Sequence, residues 1–291
     1  MDLNIFQLLA APITASLIIA GIHAYLGLHV VERGVIFVDL SLAQIASLGA
    51  AIAVWQGADP HDPIVYWASL GFTLVGALIF SVVKAQKARV PQEAFIGISY
   101  AVASAAVILT LSKATGESEH LRDMLVGNIV AVQWPEVWTT AAMYLGIGVF
   151  HYVFRRRFLE ISMDSTGAAA RGVPVRLWDF LFYASFGLVV TRSVAIAGVL
   201  LVFCYLIVPS VGAMLWASRI GPRLAIGWVM GVIVSMLGMY FSVSFDLPTG
   251  ATIVCTFGLA LVVMAAIRPL IQTRTQTQTE TPTRAETHAM S

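Results

Sequence analysis

The chain has 291 residues, 58% of them hydrophobic and only 11% charged, with a mean hydropathy of +0.84 and a formal net charge of +1. An ordinary soluble domain carries about 25% charged residues, so this composition excludes a soluble globular domain and makes lipid the solvent. The near-neutral balance leaves no basic surface for nucleic acid. Cys204 and Cys255 both sit in apolar runs without CxxC spacing, which argues against a disulfide framework or a zinc cluster.

Taken from the N-terminus, Met1-Asp2-Leu3-Asn4 lacks the basic start of a cleaved signal, and the apolar run behind it is long enough to span. A span needs about 20 apolar residues. Nine candidates meet this, at 6–30, 35–56, 64–85, 93–112, 138–154, 177–192, 195–217, 222–243 and 249–270. Lipid cannot satisfy free backbone groups, so these are helices and the predicted fold is an all-α polytopic transmembrane bundle. The run from Leu177 to Trp216 is too long for one span, and a tight turn at Arg192 divides it most economically.

Charge sets the orientation. With the N-terminus outside, the inner segments hold Arg33, Lys84, Lys87, Arg89, Arg155, Arg156, Arg157, Arg171, Arg176, Arg219, Arg223, Arg268, Arg274 and Arg284. The outer segments hold only Lys113, Arg122 and Arg192. This asymmetry predicts N-out, C-in and an odd number of spans. Residues 1–270 form the membrane domain, and the Thr-rich polar tail 271–291 is expected to be disordered.

Two loops have distinct character. Five of the 17 Lys and Arg residues lie in the segment 155–176, which carries Gly167-Ala168-Ala169-Ala170 and ends its small-residue stretch at Pro174. A short helix of small residues between basic flanks, on the inner side, suits close docking of a partner protein. The outer loop 112–135 carries Glu117, Glu119, His120 and Asp123 ahead of an apolar stretch, 124–132, too short to span. These four side chains suit either a solvated surface or a cation site, as do Asp59, His61 and Asp62 beside Pro60 and Pro63.

Polar groups inside spans are costly and mark pathways or interhelical bonds. The candidates are His23 in the first span, Asp39 and Gln44 in the second with Ser41 and Ser47, and Glu93 at the start of the fourth. Asp39, about one turn inside the inner edge, either pairs with Arg33 or snorkels, or belongs to a pathway. Asp246, ahead of Pro248, is expected to cap the last span. The chain has no G-x-x-x-x-G-K-[ST], HExxH or GxSxG pattern, so no ATPase or hydrolase chemistry of its own is expected.

Residues 172–215, with GVLLV and LIVP followed by small residues, resemble the membrane permeases of metal-type ABC importers. DLPTGATIV at 246–254 and LVGNIVAVQW at 125–134 are similar to that family's last-span entry and outer segment, and the resemblance runs over about 7–270. It implies a permease homodimer in a bacterial inner membrane, with cytoplasmic ATP-binding subunits that use the ATP and an extracytoplasmic solute-binding protein delivering zinc, manganese or iron. No cofactor bound by this chain is implied. By the same resemblance Ala168, Ala169, Ala170 and Gly172 fall in the segment that couples to the ATPase. One feature departs from the family, whose second span carries an Asp and a His four residues apart. Aligned on Gly49, those positions are Leu40 and Gln44, and Asp39 lies one residue away, rotated about 100°. The pathway candidates are therefore His23, Asp39 and Gln44, and the cargo is a divalent transition metal or a metal complex. The alternative from another class is an ion-coupled secondary transporter using buried Asp39 or His23.

Overall fold

The structure is a computed structural model that describes residues 3–60, 62–84, 91–112 and 129–280, with side chains over 9–60, 62–83, 91–112 and 129–269. The described residues are helical, without strands. The helices are α1 (Leu3–Arg33), α2 (Val38–Trp55), α3 (Pro63–Lys84), α4 (Gln92–Leu111), α5 (Trp134–Val153), α6 (Arg155–Met163), α7 (Ser165–Ala170), α8 (Val175–Ala197), α9 (Val199–Trp216), α10 (Ile220–Phe245) and α11 (Thr249–Glu280), with a 3-10 turn at Ile129–Ala131.

Eight of these are each long and apolar enough to cross a membrane; α5 qualifies together with α6, a pair bent by 73°, giving up to nine. With the bent α5–α6 pair as one span the count is nine, odd as the charge asymmetry requires. The acidic group Glu117, Glu119, His120 and Asp123 lies outside the described residues, as does His61.

Two local expectations are corrected. The break between α8 and α9 falls at Gly198, not at Arg192. Gly198 takes φ 78°, which a side chain would disfavour. Arg192 stays within α8 because α5 satisfies its guanidinium: Nε donates to Thr140 Oγ1 at 3.0 Å and Nη2 to Thr139 Oγ1 at 3.2 Å. A charge whose donors are met inside the protein need not end a span. Asp246 does not cap the last helix; it closes α10 in the left-handed conformation (φ 51°, ψ 48°), which aspartate tolerates better than most residues. Ser242 then ties the corner, donating to Leu247 O at 2.7 Å and bonding Thr249 Oγ1 at 2.7 Å. At the C-terminus, α11 continues as helix to Glu280, ten residues into the polar tail. Residues 281–291 lie outside the described set.

The helices pack as two clusters. In the first, α2 lies against α3 and α4, and α8 lies across α3 and α2. In the second, α1 is enclosed by α9 and α10, which pack on α11. Between lipid-facing helices the hydrophobic effect is absent, so close van der Waals contact and interhelical hydrogen bonds hold the pairs. Small residues supply the approach. Ala20 and Ala24 of α1 face Gly231 and Gly227 of α10, and a Cβ on Gly27 would run into the Leu206 carbonyl group of α9. In the first cluster, a Cβ on Gly49 of α2 would lie 2.6 Å from the Ala68 carbonyl oxygen of α3. Polar ties add to this. Tyr205 of α9 bonds Ser16 of α1 and accepts from Ser235 of α10, and Thr73 of α3 bonds Thr191 of α8 at 3.0 Å.

Candidate functional site

A cleft of about 510 Å³ opens at the outer ends of α2, α3 and α8. Its α2 wall is Ala43, Ala46, Ser47 and Ala50, and the facing walls include Asp62, Tyr66, Ser69, Thr191 and Arg192. Positions 43, 46, 47 and 50 share one helix face, and their short side chains leave the space open. Four residues before Ala43, on the same face and about 6 Å further in along the axis, comes Asp39. Asp39 is buried, and its Oδ1 has no hydrogen-bond partner. It sits in the first turn of α2, where the unpaired amides of a helix start favour negative charge. Glu93 of α4 shares that inner end: its Oε1 accepts from Phe37 N at 3.0 Å, and its buried Oε2 has no partner.

The predicted pathway residues are therefore not brought to one place. Asp39 continues the cleft face. Gln44 is buried on α2 but lies about 100° round the helix from Ala43 and lines none of the cleft. His23 is buried on α1, in the other cluster. Its Nδ1–H donates to Ile19 O at 2.8 Å, and its Nε2 has no partner. No group of three or more His, Cys, Asp or Glu among the described residues could hold a metal ion. Of the cleft's facing wall, the sequence singled out Asp62 but not Tyr66, Ser69 and Thr191, which are single polar residues in apolar runs that only the packing brings together.

Asp39 does not pair with Arg33. That expectation rested on their closeness in sequence, but Arg33 ends α1 and points the other way, to Asp179 of α8, with Nη1 to Oδ1 at 2.5 Å and both side chains 1% exposed. The guanidinium also lies 4.0 Å from the Phe182 ring centroid, and its Nε donates to Ser162 Oγ of α6 at 2.9 Å. Ser162 Oγ bonds His29 Nδ1 at 2.9 Å as well. Next to this, His151 of α5 contacts Tyr25 OH at 3.3 Å and Ser185 Oγ at 2.8 Å. Three histidines are thus buried within the bundle, where the sequence marked only His23 as deep. The inner ends of α1, α5, α6 and α8 meet in one polar and aromatic knot.

From this knot α6 leads to α7. Asp164 caps α7, with Oδ1 accepting from Gly167 N at 2.7 Å. Arg171 folds back to Glu160 of α6 at 2.9 Å, which closes the α6–α7 corner. Of the four predicted coupling residues, Ala168 is buried, while Ala169, Ala170 and Gly172 are exposed on the inner side. Gly172 takes φ 79° and ends the turn after α7.

Comparison with known proteins places this arrangement. The profile of the ABC 3 transport family matches residues 5–268. The manganese transport system membrane protein MntC of Halalkalibacterium halodurans is 28% identical over 86% of this chain and 83% of its own length. The manganese import system permease protein ScaB of Streptococcus gordonii is 24% identical over 92% and 94%. Among solved structures, PsaBC from Streptococcus pneumoniae in complex with a Fab superposes with a TM-score of 0.75 at 24% identity, over 90% of this chain and 92% of that one. An inward-facing putative metal-chelate type ABC transporter gives 0.70 at 16% identity, over 91% and 90%. The chain belongs to the ABC 3 transport family and is an integral membrane permease subunit of a metal-type ABC transporter.

Proposed function

We propose that this permease imports a divalent transition metal ion, manganese first, by alternating access between two copies of the chain. ATP is consumed by a separate cytoplasmic ATP-binding subunit docked on Ala169, Ala170 and Gly172, and a solute-binding protein delivers the ion to the outer cleft. The observation that carries this reading is the α2 face that runs from the cleft at Ala50 down to buried Asp39. It offers a route of small side chains ending on a carboxylate with a spare oxygen.

The cargo preference follows from ligand chemistry. Carboxylate and carbonyl oxygens suit manganese, whereas imidazole suits zinc. Here Gln44 stands where the family's second span carries a histidine, and Asp39 supplies the carboxylate. Gln44 lies off the cleft face, so the donors that α2 offers along that face are the oxygens of Ser47 and Asp39, which suit the harder ion. Manganese relatives such as MntC and ScaB fit that preference.

The test is uptake of radioactive manganese, zinc and iron by vesicles holding the permease with its co-expressed ATP-binding subunit, with and without ATP. ATP-dependent manganese uptake, competed weakly by zinc, is the expected result. Uptake that follows a proton gradient with no ATP-binding subunit present would refute it and leave a secondary transporter using Asp39 or His23.

A further inference from the structure

Arg33 stands where three bodies meet. It ends α1, which belongs to the cluster with α9, α10 and α11. Through Asp179 it holds α8, which belongs to the cluster with α2, α3 and α4. Through Ser162 it holds α6, the arm that carries the exposed small-residue helix α7. Burial makes this joint stiff: the Arg33 and Asp179 side chains are 1% exposed, and the ring of Phe182 covers the guanidinium. The Ser162 end is lighter. A single hydroxyl serves both Arg33 Nε and His29 Nδ1, and the Arg33 Nη2 beside it has no partner.

We propose that Ser162 and Arg33 form the linkage by which force on the α6–α7 arm reaches the boundary between the two helix clusters. This inference rests on the permease function proposed above. Arg33 and Ser162 touch neither the cleft nor the exposed face of α7, so they are positioning residues. An arm that moves under α7 must carry Ser162 with it. Ser162 then either pulls Arg33, and with it the α1–α8 contact, or releases Arg33, whose free Nη2 can take up a new acceptor. Either event changes the contact between the clusters at their inner ends. The arm also packs on the bundle through Phe158, edge-on to Trp178 and against Phe150, His151 and Phe182, but these apolar contacts carry no directional hydrogen bond.

The experiment uses the whole transporter in proteoliposomes and compares Ser162→Ala, Ser162→Thr and Arg33→Lys with wild type. Three quantities are read: ATP-binding subunit retained, ATP hydrolysed, and manganese moved per ATP. Couplings between sites run from about 5- to 150-fold, so Ser162→Ala is expected to keep the subunit and its hydrolysis while manganese moved per ATP falls at least about fivefold. Ser162→Thr, which keeps the hydroxyl, restores the ratio. Arg33→Lys, whose single ammonium cannot serve Asp179 and Ser162 in the same geometry, behaves like Ser162→Ala. A wild-type ratio in Ser162→Ala overturns the linkage, and so does a parallel loss of hydrolysis and uptake, which would mark a merely structural bond. A wild-type protein with no ATP-dependent manganese uptake refutes the manganese import proposed above, an outcome distinct from either.

Discussion

Gly49→Ala is the sharpest structural test of the first cluster. The added Cβ would sit 2.6 Å from the Ala68 carbonyl oxygen and 2.9 Å from its carbon, both backbone atoms that cannot rotate away. An ordinary carbon–oxygen contact is about 3.3 Å, so α2 and α3 must part by about 0.7 Å. A gap of that size forfeits about a quarter to a half of the dispersion energy of the contacts it opens. Overpacking of this kind costs about 1–3 kcal/mol. Glycine to alanine within a helix also gains about 1 kcal/mol of propensity, which masks part of the loss. Gly71→Ala on α3 removes that ambiguity, because a Cβ there meets nothing within 4 Å and the propensity gain is common to both variants. The difference between the two should therefore be about 1–3 kcal/mol, with Gly49→Ala the less stable. Thermal denaturation in detergent, followed by size-exclusion chromatography with fluorescence detection, measures it. Equal stability of the two variants, or a more stable Gly49→Ala, would refute the close α2–α3 approach.

Further outcomes follow from the same geometry. Removing one partner of the buried Arg33–Asp179 pair, as in Asp179→Ala, should cost about 3–5 kcal/mol, while Arg33→Met with Asp179→Leu together should cost much less; melts of the two single variants and the double variant close that cycle. Asp39→Leu should lower manganese uptake at least about tenfold, the effect of losing about 1.4 kcal/mol at one site, with normal abundance in the membrane, whereas Gln44→Ala should lower it less. Asp164→Ala removes the cap of α7, worth about 1 kcal/mol, and should weaken co-purification of the ATP-binding subunit without changing permease yield. Ala169→Trp should abolish uptake with insertion intact; unchanged uptake at normal expression would remove this residue from the docking face.

Much of the fold was legible because hydropathy and charge report directly on lipid and on topology. Nine apolar runs and their basic loops gave the spans and the inner side, with no tertiary information needed. The errors came where a local signal was answered at a distance. Arg192 looked like a span end, but Thr139 and Thr140 of α5 absorb its donors. Arg33 and Asp39 are close in sequence, yet Arg33 finds Asp179, nearly 150 positions away. Asp246 was placed as a start because Pro248 follows it, when its own backbone was already closing the helix before. Of the candidate site, the sequence singled out 168–172 as a small-residue segment, of which Ala169, Ala170 and Gly172 are exposed and Ala168 is buried, and it singled out Asp39, which is buried. Tyr66, Ser69 and Thr191 of the facing wall were not singled out, since isolated Ser, Thr and Tyr residues in apolar runs carry no period that distinguishes a cavity wall from a packed seam.

The enclosure of α1 by α9 and α10 has a consequence for biogenesis. The first helix to be synthesised meets α5, α6 and α8 along the way, but its most extensive partners, α9 and α10, begin only at Val199, more than 160 residues after Arg33. At ordinary translation speeds that is a delay on the order of ten seconds. During it, the small face at Ala20, Ala24 and Gly27, which α9 and α10 cover in the folded protein, has no native neighbours. The nascent first helix must be sheltered by the insertion machinery or by α2–α5 until the last three arrive. A chain truncated before α9 would therefore be a substrate for membrane quality control even with every earlier span intact.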